Sequence, residues 1–268
     1  LYDIMNIRLH ERNPIMKKDY HLHPNIINNP SQAEEFIAQA IRLGFEEICF
    51  TDHMPFSITH HEFDRIPDGS VGEYCKRVKE LAQLHKNEIT IKTGIEIDYH
   101  PHYEQEIKSV LAQGEFDYVL GSSHLNIAGY RIDFKNTLRT EFARMVLANY
   151  LCAAKSGLFH TISHLDVYRW VFSEQQAYPL IEDDFKVSSC SDILEELFSV
   201  LEKNNICLEL NAAPLYKKFD RCGFYPQKEI LDIAKKYNIK YRYGSDAHTP
   251  DKVGFGYDLI KSSGLLND

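Results

Sequence analysis

The chain has 268 residues, of which 44% are hydrophobic and 26% are charged, a composition typical of globular proteins. Its formal net charge of −9 argues against a nucleic-acid-binding surface, which requires a basic stripe. No apolar run approaches the roughly 20 residues that a membrane-spanning helix needs, and the first residues lack the apolar region of a secretory signal. The six cysteines are scattered without a Cys-x-x-Cys pair, which indicates a reduced, cytoplasmic protein without disulfides.

The domain organisation follows from length and from one methionine. Met16, followed by "KKDYHLH", is typical of a natural start, so residues 1–15 are expected to be a leader or an added segment outside the fold. The remaining residues, 16–268, suit one large α/β domain or two small ones, and we expect a single domain. The sequence is also compatible with a homo-oligomer.

Short apolar segments alternate with amphipathic helical segments along the chain. The segments that predict strands are, in order, "DYHLH", "EEICFTDH", "ITIKTGIEIDY", "FDYVLGSSH", "FHTISHLD", "ICLELNA" and "IKYRYGSDAH". Since each intervening helix returns the chain to the same end of the sheet, the strands are expected to be parallel. Seven such units predict a closed or nearly closed barrel. The alternative is a doubly wound open sheet. Its dinucleotide-binding version is disfavoured because no glycine-rich loop follows the first strand.

The helices between these strands have recognisable start signals. Ser31 and Glu34 form the spacing of a capping box, with Ser31 as the expected N-cap of the first helix. Ser70 and Glu73 repeat that spacing at the start of the second helix. Pro226 is expected in the first turn of the helix before the last strand.

Histidine and carboxylate residues recur where the predicted strands end. In parallel barrels such strand ends open onto one face, where functional side chains gather. The first strand carries His21 and His23, two residues apart. Because side chains alternate between the faces of a strand, both project on the same side. The residues that complete the set are His53, Glu96, His124, His164, Asp246 and His248.

This set predicts more than one metal ion. A tetrahedral zinc takes three or four protein ligands, and six histidines with Glu96 and Asp246 exceed that number. They suffice for two or three divalent ions, with a carboxylate bridging one pair. Mixed imidazole and carboxylate ligands suit Zn, Fe or Mn. Two ions a few Å apart lower the pKa of a bridging water and stabilise both ends of an in-line phosphoryl displacement.

At these residues the chain resembles a known family. The ordered motifs "HLH", "TDH", "GIEIDY", "SSH", "SHLD" and "GSDAH" resemble the PHP (polymerase and histidinol phosphatase) superfamily, from about Met16 to Gly264. The resemblance implies a distorted (β/α)7 TIM-like barrel, three metal ions and hydrolysis of a phosphomonoester, with L-histidinol phosphate as the expected substrate. It also implies a small-molecule substrate, whereas the expectation of no nucleic-acid or membrane partner rests on the net charge and on the lack of a long apolar run.

The resemblance also assigns the ligands. His21, His23, Glu96 and Asp246 would hold the first metal. Glu96 would bridge to a second metal held with His124 and His164, and His53 and His248 would hold the third. The family places a further histidine shortly after His-x-His, where this chain has Asn29 in "PNIINNP". The third site is therefore expected to be weaker, or to be completed by water, His60 or His61.

Phosphate needs positive partners beside the metals. Arg169, after "SHLD", is the first candidate because a guanidinium binds phosphate bidentately. Lys217, Lys218 and Arg221 follow the sixth strand and are the next candidates, and Tyr99 at a strand end is a candidate for substrate contact. The catalytic residues are expected to be Glu96, Asp246 and Arg169.

Two further points stay open at this stage. The rival functions are a PHP phosphoesterase acting on nucleotides or oligonucleotides, and a non-catalytic, metal-stabilised interaction module. A metal-dependent hydrolase of the amidohydrolase type fits "SHLD" and "GSDAH" less well. Inside the barrel, Glu209 and Arg242 are predicted to pair across neighbouring strands, because an unpaired buried charge is costly.

Overall fold

The computed structural model describes residues 16–55, 65–124, 132–174, 176–217 and 223–266. Within them, seven parallel strands lie side by side in chain order. The strands are β1 Lys18–Leu22, β2 Glu47–Phe50, β3 Thr90–Asp98, β4 Tyr118–Ser122, β5 Thr161–Ile162, β6 Cys207–Asn211 and β7 Tyr241–Gly244. The α-helices of the described residues are α1 Pro30–Arg42, α2 Val71–Leu84, α3 Glu104–Leu111, α4 Arg139–Ser156, α5 Tyr168–Ser173, α6 Ser191–Asn204, α7 Ala213–Lys217, α8 Lys228–Ala234 and α9 Tyr257–Ser262.

The first and last strands meet, so the sheet curves into a nearly closed barrel. Leu22 and Ala247 form a parallel bridge, and the His23 N–H donates to the Ala247 carbonyl at 2.8 Å. The Asp246 N–H donates to the His21 carbonyl at 2.9 Å. This confirms the predicted barrel over the open sheet, and it places the "HLH" and "GSDAH" segments next to each other.

The main hydrophobic core lies between the strands and the surrounding helices. The outward side chains of β3, Ile95 and Ile97, are fully buried there, together with Phe36 and Ile37 of α1. Among the described residues, the interior of the barrel holds a small separate apolar cluster of Cys49, Tyr118 and Leu120, against which Tyr20 packs. Because so little of the interior is apolar, polar side chains occupy both ends of the barrel.

Two predicted helix starts differ in position from the observed ones, and a third lacks the predicted capping contact. The N-cap of α1 is Asn29, and Pro30 occupies the first turn, so Ser31 lies inside the helix; proline's fixed φ suits that position. Ser70 is the N-cap of α2 as predicted, but its side chain makes no capping hydrogen bond within the described chain. Pro226 precedes Gln227, the N-cap of α8, and so lies outside the first turn.

The region after β5 also contains more structure than its sequence indicates. The strand itself spans only Thr161–Ile162, and a short helix, α5 Tyr168–Ser173, follows it. A six-residue helix is too short to show a periodic apolar pattern. Among the described residues, no helix is long and apolar enough to cross a membrane. The expected leader, residues 1–15, lies outside the described residues, and the domain boundary at residue 16 remains a prediction.

Tight packing inside the barrel predicts the effect of one glycine substitution. A Cβ at Gly94 would lie 2.5 Å from the Cys49 Sγ and 2.9 Å from the Phe50 carbonyl oxygen. Gly94→Ala is therefore expected to lower the free energy of unfolding by about 1–3 kcal/mol, as overpacking does. Gly72→Ala in α2, whose nearest atom would lie 3.6 Å away, is the control and should not destabilise. Urea unfolding measures both; equal stability of the two variants would contradict the packing.

Candidate metal centre

The eight predicted ligands gather at the C-terminal end of the barrel. Each lies in or just after a strand: two follow from β1, two from β7, and β2, β3, β4 and β5 supply one each. They are His21, His23, His53, Glu96, His124, His164, Asp246 and His248. Alternation along parallel strands explains the convergence, because inward side chains at the strand ends share one face.

Four overlapping triads could each hold a metal ion, since their ligand atoms lie within 4.8 Å of one another. The triads are His21–His23–Glu96, His21–His164–Asp246, Glu96–His124–His164 and His23–His53–His248. Every predicted ligand belongs to at least one triad. The overlap is what a multinuclear centre requires, because a shared ligand keeps neighbouring ions close together.

Glu96 lies at the middle of these triads. Its Oε2 is 3.3 Å from the Nε2 atoms of His21 and His23 and 3.0 Å from the Nδ1 of His53. Its Oε1 is 3.0 Å from the Nε2 of His164. One oxygen of this buried carboxylate therefore faces three histidines and the other faces His164, an arrangement that suits a bridging ligand.

Glu209 is a functional residue that the sequence interpretation assigned wrongly. Its Oε1 lies 2.6 Å from the Nδ1 of His21, and its Oε2 accepts the backbone N–H of His164 at 2.7 Å. The predicted ion pair with Arg242 is absent among the described residues; the Arg242 guanidinium lies over the Tyr20 ring at 5.6 Å. Although the two residues are in register on neighbouring strands, Glu209 extends toward the metal centre and Arg242 toward the other end of the barrel.

Further contacts fix the imidazole rings. The Asp98 carboxylate lies 2.7 Å from the Nδ1 of His124, and the Tyr150 hydroxyl lies 3.1 Å from the Nδ1 of His164. Such contacts hold a ring nitrogen in orientation toward a metal. Asp52 accepts the N–H groups of Asn25 and Ile26 at 2.9 and 3.0 Å, so it stabilises the turn after β1.

Burial and neighbouring charges shift the pKa values of three histidine ligands. Burial lowers the pKa of His23 well below its usual value, and the neighbouring His53 and His248 lower it further. Burial also lowers the pKa of His248 to about 4. Both imidazoles are neutral at pH 7, the form that binds metal. Burial opposes the charged form of His124, but the Asp98 carboxylate raises its pKa to about 9.

The donor set fits divalent metal ions. Both ring nitrogens of His23 are buried and have no hydrogen-bond partner within the described chain. Buried polar atoms left without partners cost free energy, and coordination of an ion by His23 would remove that cost. The donors are imidazole nitrogens and carboxylate oxygens, which suit Zn, Fe or Mn.

The candidates for phosphate binding differ in position. Lys217, at the end of α7, has its Nζ 3.9 Å from the Asp246 Oδ2, and its side chain is 41% exposed. It is therefore both near the centre and accessible. Arg169 is buried; its Nη1 donates to Asp166 at 2.8 Å, and its guanidinium lies 4.9 Å from the centre of the Tyr225 ring. That ring is 6.4 Å from the His164 ring, so the Tyr225 ring connects Arg169 to a ligand of the centre.

The remaining candidates are not at the centre or lie outside the described residues. Tyr99 is 2% exposed in the core, and its hydroxyl donates to Glu104 at 2.8 Å. The prediction that Tyr99 faces the substrate is therefore wrong, because its side chain turns outward. Lys218 and Arg221 lie outside the described residues, as do His60 and His61. Asn29 is the N-cap of α1, and its side-chain amide donates to Gln32.

The contacts of Glu209 generate a prediction. Glu209→Gln keeps the shape but removes the charge that faces His21, so we expect metal affinity to fall about 10- to 100-fold, as losses of such supporting contacts do. Chelator competition followed by elemental analysis measures the affinity. Glu196→Gln, which alters an exposed carboxylate paired with Lys155, is the control and should bind metal normally. Unchanged affinity in Glu209→Gln would contradict the assigned role.

The chain is similar to a known protein family and to several named proteins over most of its length. The PHP domain family model matches residues 19–213. A probable histidinol-phosphatase of Deinococcus radiodurans is 28% identical over 255 residues, which span 91% of each chain. The histidinol-phosphatase of Bacillus subtilis is 24% identical over 268 residues, which span 92% of this chain and 98% of that relative.

Comparison with solved structures supports the same architecture. Histidinol phosphate phosphatase of Lactococcus lactis, in a crystal structure with zinc, L-histidinol and phosphate, matches with a TM-score of 0.70 and 24% identity. The match covers 93% of this chain and 94% of that chain. The barrel is therefore shared over nearly the whole length of both proteins.

Proposed function

The chain belongs to the PHP domain family, and we propose that it is a metal-dependent phosphomonoesterase that hydrolyses L-histidinol phosphate to L-histidinol and phosphate, a step of histidine biosynthesis. One observation carries the chemistry: the two oxygens of Glu96 face different histidines. Oε2 lies 3.0–3.3 Å from His21, His23 and His53, and Oε1 lies 3.0 Å from His164. A single metal would need only one of the two oxygens. The proposed substrate comes from the names of the relatives: proteins 24–28% identical to this chain, each matched over most of its length, are named histidinol-phosphatase or probable histidinol-phosphatase.

We assign three metal sites to the ligands at the barrel end. His21, His23 and Glu96, with Asp246, would hold the first ion. Glu96, with His124 and His164, would hold the second. His53 and His248 would hold the third, and His23 belongs to the same triad.

The bound ions supply Lewis acidity and activate water for attack on phosphorus. The chain's own residues set the geometry and the charge. Glu96 sets the spacing between the two sites that it joins. Lys217 and Arg169 supply positive charge for the equatorial oxygens of the phosphoryl group, which carry the charge of a loose transition state.

Two hydrogen-bonding contacts position Asp246. Its Oδ2 lies 3.3 Å from the side-chain amide of Asn211, and its backbone carbonyl accepts the Tyr216 hydroxyl at 2.6 Å. Burial opposes ionisation of Asp246, but Lys217 and His21 lower the pKa of its carboxyl well below the usual value. Asp246 therefore remains an anionic ligand throughout the physiological pH range.

We further propose that the protein acts in the cytoplasm on a small soluble substrate. The described cysteines are all unpaired, as expected in a reducing compartment. The net charge of −9 favours a substrate with cationic groups, such as the ammonium of histidinol phosphate, over nucleic acid.

Phosphate release tests the proposed function. The metal-loaded chain is assayed with L-histidinol phosphate, a nucleoside monophosphate and an aryl phosphate, each with and without chelator. We expect chelator-sensitive release with the highest kcat/KM on histidinol phosphate. Preference for the nucleotide would support the rival phosphoesterase, and no release from any substrate by metal-loaded protein would support an interaction module.

The central position of Glu96 predicts the strongest single effect. Glu96→Gln removes the charge that offsets two neighbouring cations, so we expect loss of one metal per chain and a rate lower by about 10³-fold. The fold should survive, because the outward Ile95 and Ile97 are unchanged. Elemental analysis, circular dichroism and phosphate release measure the three quantities. Full metal content with near-normal activity would refute the bridging role.

The third site should lose its metal first. Its triad, His23–His53–His248, contains no carboxylate, and the His248 side chain is 29% exposed. Stepwise titration with chelator, followed by metal analysis, should show one ion leaving before the other two. Release of all ions at one chelator concentration would contradict this order.

A further inference from the structure

A second polar cavity lies at the opposite, N-terminal end of the barrel. It has a volume of about 580 Å³ and is lined by residues at the starts of the strands. Lys92 lies four residues before Glu96 on β3, and Arg242 lies four residues before Asp246 at the start of β7. Because inward side chains recur every second residue, the same two strands contribute to both ends of the barrel.

Two cationic side chains are available in this cavity. Neither Lys92 nor Arg242 makes a hydrogen bond or ion pair with another described residue, although Arg242 lies over the Tyr20 ring at 5.6 Å. Interior cations are normally paired with an anion. An available guanidinium beside a lysine in a concave site is suited to a carboxylate, which it binds bidentately.

The cavity also carries two carboxylates. Glu47 accepts the Tyr20 hydroxyl, and Asp117 accepts the Thr93 N–H at 2.9 Å. Each carboxylate retains further acceptor positions. The four charged residues of the lining sum to zero, so a multiply charged anion would be attracted by two groups and repelled by two. A ligand that carries one charge of each sign matches this arrangement.

One wall of the cavity is aromatic. The rings of Tyr20 and Tyr118 lie 5.0 Å apart, and His160 stacks on Tyr118 at 5.7 Å with an angle of 18° between the planes. The His160 ring is held by its Nδ1, which accepts the Val119 N–H at 2.9 Å. Tyr118 is only 7% exposed, whereas His160 is exposed, so the free face of the His160 ring is the surface on which a planar group can stack.

We propose that this cavity binds a free α-amino acid with a planar side chain. Its carboxylate pairs with Arg242 and Lys92, its ammonium lies toward Glu47 and Asp117, and its side chain stacks on the Tyr118–His160 wall. This site is separate from the metal centre, and no contact with a metal or with the substrate of the proposed reaction is needed.

Calorimetric titration of the metal-loaded full chain tests the proposal. The probes are L-phenylalanine and L-histidine, with phenethylamine and histamine as analogues that lack the carboxylate and 3-phenylpropionate as the analogue that lacks the ammonium. We expect at least one amino acid to bind, with about tenfold or greater loss of affinity for each of its analogues, as expected when one charged hydrogen bond is lost.

Variants place the binding at this cavity. Arg242→Gln and Lys92→Gln should each weaken binding of the amino acid about tenfold or more, with phosphate release unchanged because neither residue lies at the metal centre. Lys240→Gln, which removes an exposed charge near the start of β7, should bind as the parent chain does. No binding of either amino acid at millimolar concentration would overturn the proposal. Binding that both cavity variants retain, or that inorganic phosphate competes away, would also overturn it.

Discussion

The buried carboxylate of Glu96 is the interaction on which the rest of the centre depends. It is 1% exposed, and an isolated ionised carboxylate at that depth would be very unfavourable. Burial would raise its pKa, but the imidazoles of His53 and His21 lower it well below the usual value. The ring nitrogens of His21, His23 and His53 surround one oxygen of this carboxylate at 3.0–3.3 Å, and neutral imidazoles offer their lone pairs to a cation. Bound cations and this carboxylate therefore stabilise one another.

The space for that arrangement depends on a glycine as well as on the ligands. A Cβ at Gly244 would lie 2.0 Å from the Glu209 Oε1 and 2.7 Å from the His21 Cβ. Gly244 thus leaves room for Glu209, which contacts His21 directly and holds the His164 backbone. The presence of a glycine in "GSDAH" is therefore explained by steric space, whereas the aspartate and the histidine of that segment are explained by metal coordination.

Much of the centre could be predicted because strand-end placement depends on local rules. Alternation along each strand and parallel order specify which residues reach the rim, and the eight predicted ligands do converge there. The partner of Glu209 could not be predicted in this way. Glu209 and Arg242 are in register on neighbouring strands and so lie on one face of the sheet. Whether their side chains meet depends on the direction in which each side chain extends along the barrel axis. The sequence feature that indicates this role is the position of Glu209 in "LELN": it points into the barrel two residues before Asn211, near the end of β6 where the metal ligands gather.

The same alternation gives the barrel two polar ends separated by a narrow middle. On β3 the inward residues are Lys92, Gly94 and Glu96, and on β7 they are Arg242, Gly244 and Asp246. Both strands thus carry a cation at one end, a glycine in the middle and a carboxylate at the other. The glycines let neighbouring strands and side chains approach closely, which seals the interior between the two ends. A longer side chain at either glycine would collide with these neighbours, so the charged side chains of both strands lie at the two ends of the barrel and not in its middle.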